Sequence, residues 1–371
     1  MEKNHSVTGM SWLRACRIPS LRNIAIISVV LLLLYHFRTW SLSYEASPTP
    51  VLSEEPPVTT SPESQPPPSP PPPTDKAEQP PPPPPPPPPS PSPTPEPTGI
   101  PKKIWYKLGP KGLSDDARGW TNTCISQNPE YHPEFFTDQS ADAFVLERYK
   151  DRPDIVDTYF ALTVPILKVD LFRYLLLYSE GGIWFDLDAT CEGIPIDKWV
   201  PDGVDPALVV GWEFDGGYHF EFDRQFTTWT ILAKKGVRKL LTVAEDVVKG
   251  VAELAAANNV TISGLNMEMV GDVVEFTGPK RFAKSVMKSI VDEESAKEAG
   301  WGGWEPYHEI LEPKLAGDVL ILPGYALAAS YNEYEPEDQD RVGPSLVVHH
   351  YAGTWKNEHG GETAEGEGKS S

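Results

Sequence analysis

Cysteine is scarce: Cys16, Cys124 and Cys191 are the only three in 371 residues, too few for a disulfide scaffold. Positive charge is short as well. Thirty-two Lys and Arg against 53 Asp and Glu leave a net charge of −21, which argues against nucleic acid as a partner, since phosphates are repelled without a basic patch. No G-x-G-x-x-G, G-x-x-x-x-G-K, H-E-x-x-H or G-x-S-x-G occurs, so dinucleotide, P-loop, zinc-protease and serine-hydrolase readings lose their usual support. Long apolar runs are nearly absent too. The one stretch, Ile24 to Phe37, is shorter than the ~20 residues a spanning helix usually needs.

That stretch is nonetheless flanked by Arg22 and Arg38, whose stems can snorkel, and Leu21–Trp40 can then span a thin bilayer. A cleaved signal peptide is the alternative. The long basic lead (Lys3, Arg14, Arg17) and the bulky Tyr35, Phe37 and Trp40 favour an uncleaved anchor. Basic residues before the run place residues 1–20 in the cytosol and everything after residue 40 in the lumen. Proline is the opposite of scarce. Of its 42 copies, 27 crowd before Gly99, and a segment such as 41–98 cannot pack a core; it reads as a disordered polyproline stem. The Gly/Glu-rich residues 358–371 read as a disordered tail.

Between them, residues 99–357 read as one α/β domain. Strand-like Ile100–Tyr106 and Tyr131–Thr137 alternate with helical Ser114–Ser126 and Ser140–Lys150. Further strands are expected at Ala207–Gly211, Asp318–Leu322 and Ser345–His349, with helices within Phe226–Ala256. The segment Val164–Asp188 organises the rest. Ile166, Leu167, Phe172, Leu175 and Leu176 give a helical apolar face, and Gly181 is a natural stop. Asp170 and Arg173, three apart, leave one face of that helix. After Gly182 the period becomes two, so Ile183-Trp184-Phe185 reads as a buried strand ending in Asp186-Leu187-Asp188, whose two carboxylates point the same way. Carboxylates at a strand's C-terminal end beside an acid and an arginine suit a hard cation and an anionic ligand. A bare Asp-x-Asp is common, and an acidic turn would explain it alone; the neighbouring Asp-x-x-Arg is what the bland reading leaves unexplained. The loop from Trp212 to Gln225 is dense in acids and aromatics, a composition suited to sugar hydroxyls and ring faces. Adjacent His349 and His350 alternate across their strand, so one at most faces a given site.

The pattern Val169-Asp170-Leu-Phe-Arg173-Tyr174, an apolar run, and Gly181-Gly182-Ile-Trp-Phe-Asp186-Leu-Asp188 resembles glycosyltransferase family 32. Gly211-Trp-Glu213, Thr277-Gly278-Pro279 and His349-His350-x-x-Gly353-Thr354-Trp355 extend the likeness over roughly Ile100 to Lys356. It runs nearest to the initiating α-1,6-mannosyltransferases of fungal N-glycan outer chains. The resemblance implies a GT-A-like catalytic domain with a mixed, mainly parallel sheet, and retaining transfer of mannose from GDP-mannose to a glycan acceptor such as an N-linked glycoprotein. It implies a divalent cation, Mn²⁺, held by Asp186, Asp188 and a histidine, with His350, five positions before Trp355, as that ligand. It implies that Asp170 and Arg173 hold the donor sugar, Arg173 near the phosphate, and that Trp355 covers the donor phosphates. Trp105, on the first strand, either stacks on the nucleotide base or fills the core.

Such a protein is expected as a single-pass type II protein of the Golgi membrane with a lumenal catalytic domain, within reach of a mannosyltransferase complex. In the lumen, Cys124 and Cys191 could pair, and Asn259-Val-Thr261 would be a glycosylation sequon. Two other readings stand beside it: mannosylation of inositol phosphoceramide, and a non-catalytic glycan-binding Golgi subunit that keeps the fold.

Overall fold

The computed structural model describes residues 99–215, 223–290 and 303–361. The anchor and stem expected over 1–98, most of the acidic loop at 216–222 and the tail beyond 361 lie outside the described residues. Among the described residues, no helix is long and apolar enough to cross a membrane.

In chain order the elements are β1 (Lys103–Lys107), α1 (Asp115–Gln127), β2 (His132–Phe136), α2 (Asp138–Arg148), α3 (Pro153–Ala161), α4 (Pro165–Glu180), β3 (Gly182–Phe185), β4 (Ala189–Cys191), β5 (Leu208–Phe214), β6 (Asp223–Phe226) and β7 (Thr230–Ala233). They continue with α5 (Arg238–Ala257), α6 (Met267–Val270), α7 (Val273–Phe276), α8 (Pro279–Ile290), β8 (Lys314–Ala316), β9 (Val319–Leu322), α9 (Gly324–Ala328) and β10 (Val347–His349). The helix starts follow local chemistry. Ser114 Oγ accepts from Ala117 N at 3.1 Å to cap α1, and Thr137 and Ser140 form a reciprocal capping box on α2, each cap stabilising by about 1 kcal/mol.

The main sheet has the order β2-β1-β3-β7-β5-β9-β8, with β6 paired to β5. β1 is parallel to β2 and β3, β7 is antiparallel to both β3 and β5, and β9 is parallel to β5. Five strands therefore share one direction while β6, β7 and β8 oppose it: a mixed, mainly parallel sheet, which fits the expected GT-A-like architecture. Apolar side chains cover both faces. Phe172, Leu175, Trp184, Trp212 and Phe282 belong to one core layer, and Tyr106, Phe185, Trp229, Leu327 and Val347 to the other. The parallel direction brings the ends of β1, β3 and β5 to one edge, where ligands of such sheets bind.

The join of α4 to β3 sets that edge. Pro165 opens α4 at a position where its missing N–H is harmless, and the helix buries Leu167, Leu171, Phe172, Leu175 and Leu176. Each of these stabilises by roughly 1.5–3 kcal/mol relative to exposure. Gly181 ends α4 at φ +65°, and a Cβ there would meet Lys235 N at 2.6 Å. Gly182, at φ +97°, would drive a Cβ to 2.6 Å from Trp105 Nε1. Two glycines thus let the chain reverse directly against β1 and β7.

The helix expected within Phe226–Ala256 is present from Arg238, preceded by the unanticipated strand β7 between β3 and β5. α3 was not anticipated; it starts at Pro153 and buries Ile155, Thr158 and Tyr159. The folded part also runs past Asn357, because Ile166 N donates to Gly360 O at 2.9 Å and seats residues 358–361 against the start of α4.

Candidate active site

Asp186 follows the last residue of β3 and accepts on one oxygen from Trp184 Nε1 at 2.7 Å and Arg173 Nη2 at 3.0 Å. Arg173, only 3% exposed, also pairs through Nη1 with Asp170, one helical turn before it on α4. The other Asp170 oxygen accepts from Thr277 Oγ1 at 2.7 Å, and Thr277 O in turn accepts from Tyr174 OH at 2.9 Å. Burial pushes the Asp170 carboxyl up, with Arg173 and Thr277 opposing it. Arg173 lies 4.9 Å above the Trp184 ring, and its Nε is buried without a hydrogen-bond partner. The guanidinium is thus committed to two carboxylates. It is placed to orient Asp186, and with Asp170 it lines the cleft in which the resemblance has both hold the donor sugar.

Asp188 is held from the C-terminal segment. His349 Nε2 lies 3.1 Å from its Oδ1, Ala352 N donates to its Oδ2 at 2.9 Å, and His350 N donates to its main-chain oxygen at 2.8 Å. Burial alone would raise the Asp188 carboxyl; the imidazole and the Ala352 N–H outweigh it and keep the group below its ordinary range. One ligand atom each from Asp186, Asp188 and His349 lies within 4.8 Å of the others.

This reverses the expectation for the two histidines. β10 pairs antiparallel with β4, His349 opposite Ala189, and its ring faces the acids, stacked on Trp229 at 4.3 Å and edge-on to Tyr351 at 4.2 Å. His350 points away. It stacks on Trp120 of α1 at 4.8 Å and lies 3.1 Å from Thr190 Oγ1. Counting back from Trp355 fails because the chain bends between them, with Tyr351 at φ +49°. Parity from the strand was no guide either: Leu346-Val347-Val348 is apolar throughout and conceals which side is inward.

The cluster opens on a cleft of about 990 Å³, lined among others by Lys107, Trp120, Asp170, Arg173, Glu213, Gln225 and Trp355. Trp105 is not there. It is 1% exposed in the core, and its Nε1 donates to Gly181 O at 2.7 Å, so the stacking role on a base is withdrawn. Glu213, noted in the sequence only within the acidic loop and the Gly-x-Glu likeness and given no role of its own, is a further site residue. It belongs to β5, is 6% exposed, and burial pushes its carboxyl up to about 7. Cys124 and Cys191 form a disulfide that ties α1 to β4, so the Trp120 wall and the β4–β10 ribbon are covalently joined.

Residues 114–203, which include Asp170, Arg173, Asp186 and Asp188, match the family described as the glycosyltransferase sugar-binding region containing a DXD motif. The chain is 27% identical over 286 residues to the initiation-specific alpha-1,6-mannosyltransferase of Candida albicans, which covers 70% of this chain and 73% of that protein. The enzyme of the same name from Schizosaccharomyces pombe is 27% identical over 269 residues, 70% of this chain and 64% of its own length. A mannosyl phosphorylinositol ceramide synthase of Saccharomyces cerevisiae is 32% identical over 93 residues, 25% of this chain and 24% of that one. With the DXD acids of that match gathered at the edge of a mixed α/β sheet, the chain carries a glycosyltransferase domain.

Proposed function

We propose that the protein is a retaining, metal-dependent mannosyltransferase that uses GDP-mannose and builds an α-1,6 linkage on a glycan acceptor, in N-glycan outer-chain synthesis. The observation that carries this reading is the convergence of Asp186, Asp188 and His349 within 4.8 Å at the mouth of the cleft. Two carboxylates and an imidazole suit Mn²⁺ or a similar divalent cation. Asp186, Asp188 and His349 would hold the ion, which supplies positive charge to the diphosphate leaving group.

The chain's own residues do the positioning. Arg173 and the Trp184 N–H fix one Asp186 oxygen, and Ala352 N fixes one Asp188 oxygen. Trp229 and Tyr351 hold the His349 ring. In a same-face transfer the bond from the anomeric carbon to the phosphate oxygen breaks as the bond to the acceptor oxygen forms. The departing phosphate oxygen takes the acceptor proton, so the enzyme need supply no base. Mannose as the transferred sugar and the α-1,6 linkage rest on the long matches to enzymes bearing that name, whereas the ceramide-synthase match is confined to 93 residues. Anchoring through residues 21–40, a stem over 41–98 and a Golgi lumenal domain belong to the same proposal, supported by the basic lead and the proline run. Asn259, exposed just beyond α5, is then open to glycosylation.

Linkage analysis of the product made by the purified full chain from GDP-mannose, Mn²⁺ and N-glycan acceptors tests this. An α-1,6-mannosyl product that is lost in Asp188→Asn is expected. Transfer to inositol phosphoceramide alone, or a rate in Asp188→Asn within about tenfold of the parent at saturating metal, would overturn it.

A further inference from the structure

Glu213 and Trp212 alternate across β5. The Trp212 indole packs tilted against Phe226 at 4.1 Å within the core, and the Glu213 carboxylate takes the opposite side and lines the cleft. β5 runs in the same direction as β3 with β7 between them. Phe185 is opposite Thr230, and Thr227 N donates to Gly211 O at 2.9 Å, so Glu213 stands at the same sheet edge as Asp186 and Asp188.

This carboxylate is built in, not merely present. Gln225 Nε2, on a residue 4% exposed, donates to Glu213 Oε2 at 2.6 Å. Asn332 grips the backbone on either side: its Nδ2 donates to Glu213 O at 2.9 Å, and its Oδ1 accepts from Asp215 N at 2.7 Å. No cation pairs with Glu213 among the described residues, although burying an unpaired carboxylate is unfavourable. Nearby Tyr351, whose ring holds His349, also lines the cleft, and its buried hydroxyl completes no hydrogen bond. A buried carboxyl held by an amide, with a phenol beside it that completes no hydrogen bond, leaves donor and acceptor capacity for a ligand that supplies both. An anionic phosphate is repelled there; an uncharged polyol, whose hydroxyls both donate and accept, complements the pair.

We propose that Glu213, presented by Gln225 and assisted by Tyr351, is the specificity-determining residue that binds the hydroxyls of the transferred hexose. The assignment rests on the glycosyltransferase reading above. It divides donor recognition in two: Asp186, Asp188 and His349 serve the diphosphate end, and Glu213 serves the sugar.

The test is a pair of calorimetric titrations on the full chain with Mn²⁺, one with GDP and one with GDP-mannose. They are repeated for Glu213→Gln and for Tyr351→Phe, which keeps the ring against His349. Loss of a hydrogen bond to a charged group predicts that Glu213→Gln weakens GDP-mannose binding on the order of 10- to 100-fold, and Tyr351→Phe by roughly fivefold. GDP binding should stay within about twofold in both. A residue that merely supports the fold would move both ligands together, and that result overturns the proposal. So does an unchanged GDP-mannose affinity with a raised acceptor KM, which would assign the carboxylate to the acceptor sugar. If Glu213→Gln fails to fold, Tyr351→Phe decides by the same split. Absence of GDP binding in the parent protein would overturn the donor reading itself, and this assignment with it.

Discussion

Arg173 is the point where removal of one side chain should do most damage. It is 3% exposed, pairs with Asp170, itself 3% exposed, and reaches Asp186 at 3.0 Å. Arg173→Met keeps much of the volume but strands the Asp170 carboxylate among apolar neighbours. Breaking a buried pair in this way costs about 3–5 kcal/mol. In a domain of this size that corresponds to a melting point lower by roughly 6–20 °C. Burial already holds the Asp170 carboxyl above its ordinary value in the parent, and loss of the cation raises it further, so the variant's stability should fall more steeply as pH rises between the unfolded and folded values. Asp170→Asn in the same background removes the stranded charge and should restore part of the loss, a coupling of about 0.5–3 kcal/mol. Chemical denaturation of the two single variants and the double variant, at pH 5 and pH 8, measures all of this. A single-variant loss below about 1 kcal/mol, or strict additivity in the double variant, would refute the claim that the triad is one electrostatic unit.

His349→Ala should raise the Mn²⁺ requirement strongly with little change in melting point, and His350→Ala should remove the Trp120 stack, about 0.5–1.5 kcal/mol, together with the Thr190 contact, without moving the Mn²⁺ requirement. Metal titrations beside melting curves check this, and the reverse pattern would return the ligand role to His350. The Cys124–Cys191 bridge closes a sequence separation of 67. Loop-closure entropy predicts that Cys124→Ser with Cys191→Ser lowers stability by roughly 4 kcal/mol, read by urea denaturation; a loss under about 1 kcal/mol would contradict it. Glu213 carries its own pH signature. Its carboxyl is raised to about 7 in the fold from 4.5, so its contribution is fully present below the unfolded value and lost as pH rises through about 7, roughly 3 kcal/mol in all. Glu213→Gln should flatten the stability curve across that window, and an unchanged curve would show that the carboxyl is not perturbed.

What the sequence determined by itself was local. The period of 3.6 through Leu176, the Gly181-Gly182 stop and the switch to period two wrote α4 and β3 at nearly their observed bounds, because caps, breakers and side-chain alternation act within a few residues. The same stretch placed Asp170 beside Arg173 on one helix face and brought Asp186 and Asp188 to a strand end, and all four line one cleft. Tertiary structure decided what pairwise spacing does not encode. Thr230–Ala233 is a short apolar run beside a helix, and only insertion between β3 and β5 makes it a strand. Trp105 is equally apolar on either side of β1; the reversal at Gly181 puts a carbonyl within reach of its indole and so consigns it to the core. The choice between His349 and His350 waited on the pairing of β10 with β4, and one residue of register turns each ring to the opposite face. Glu213 became distinct from the acids around it only when β5, β6 and Asn332 closed about it, because burial is a property of the neighbours that the fold supplies, and the carboxylate's own sequence context is silent about them.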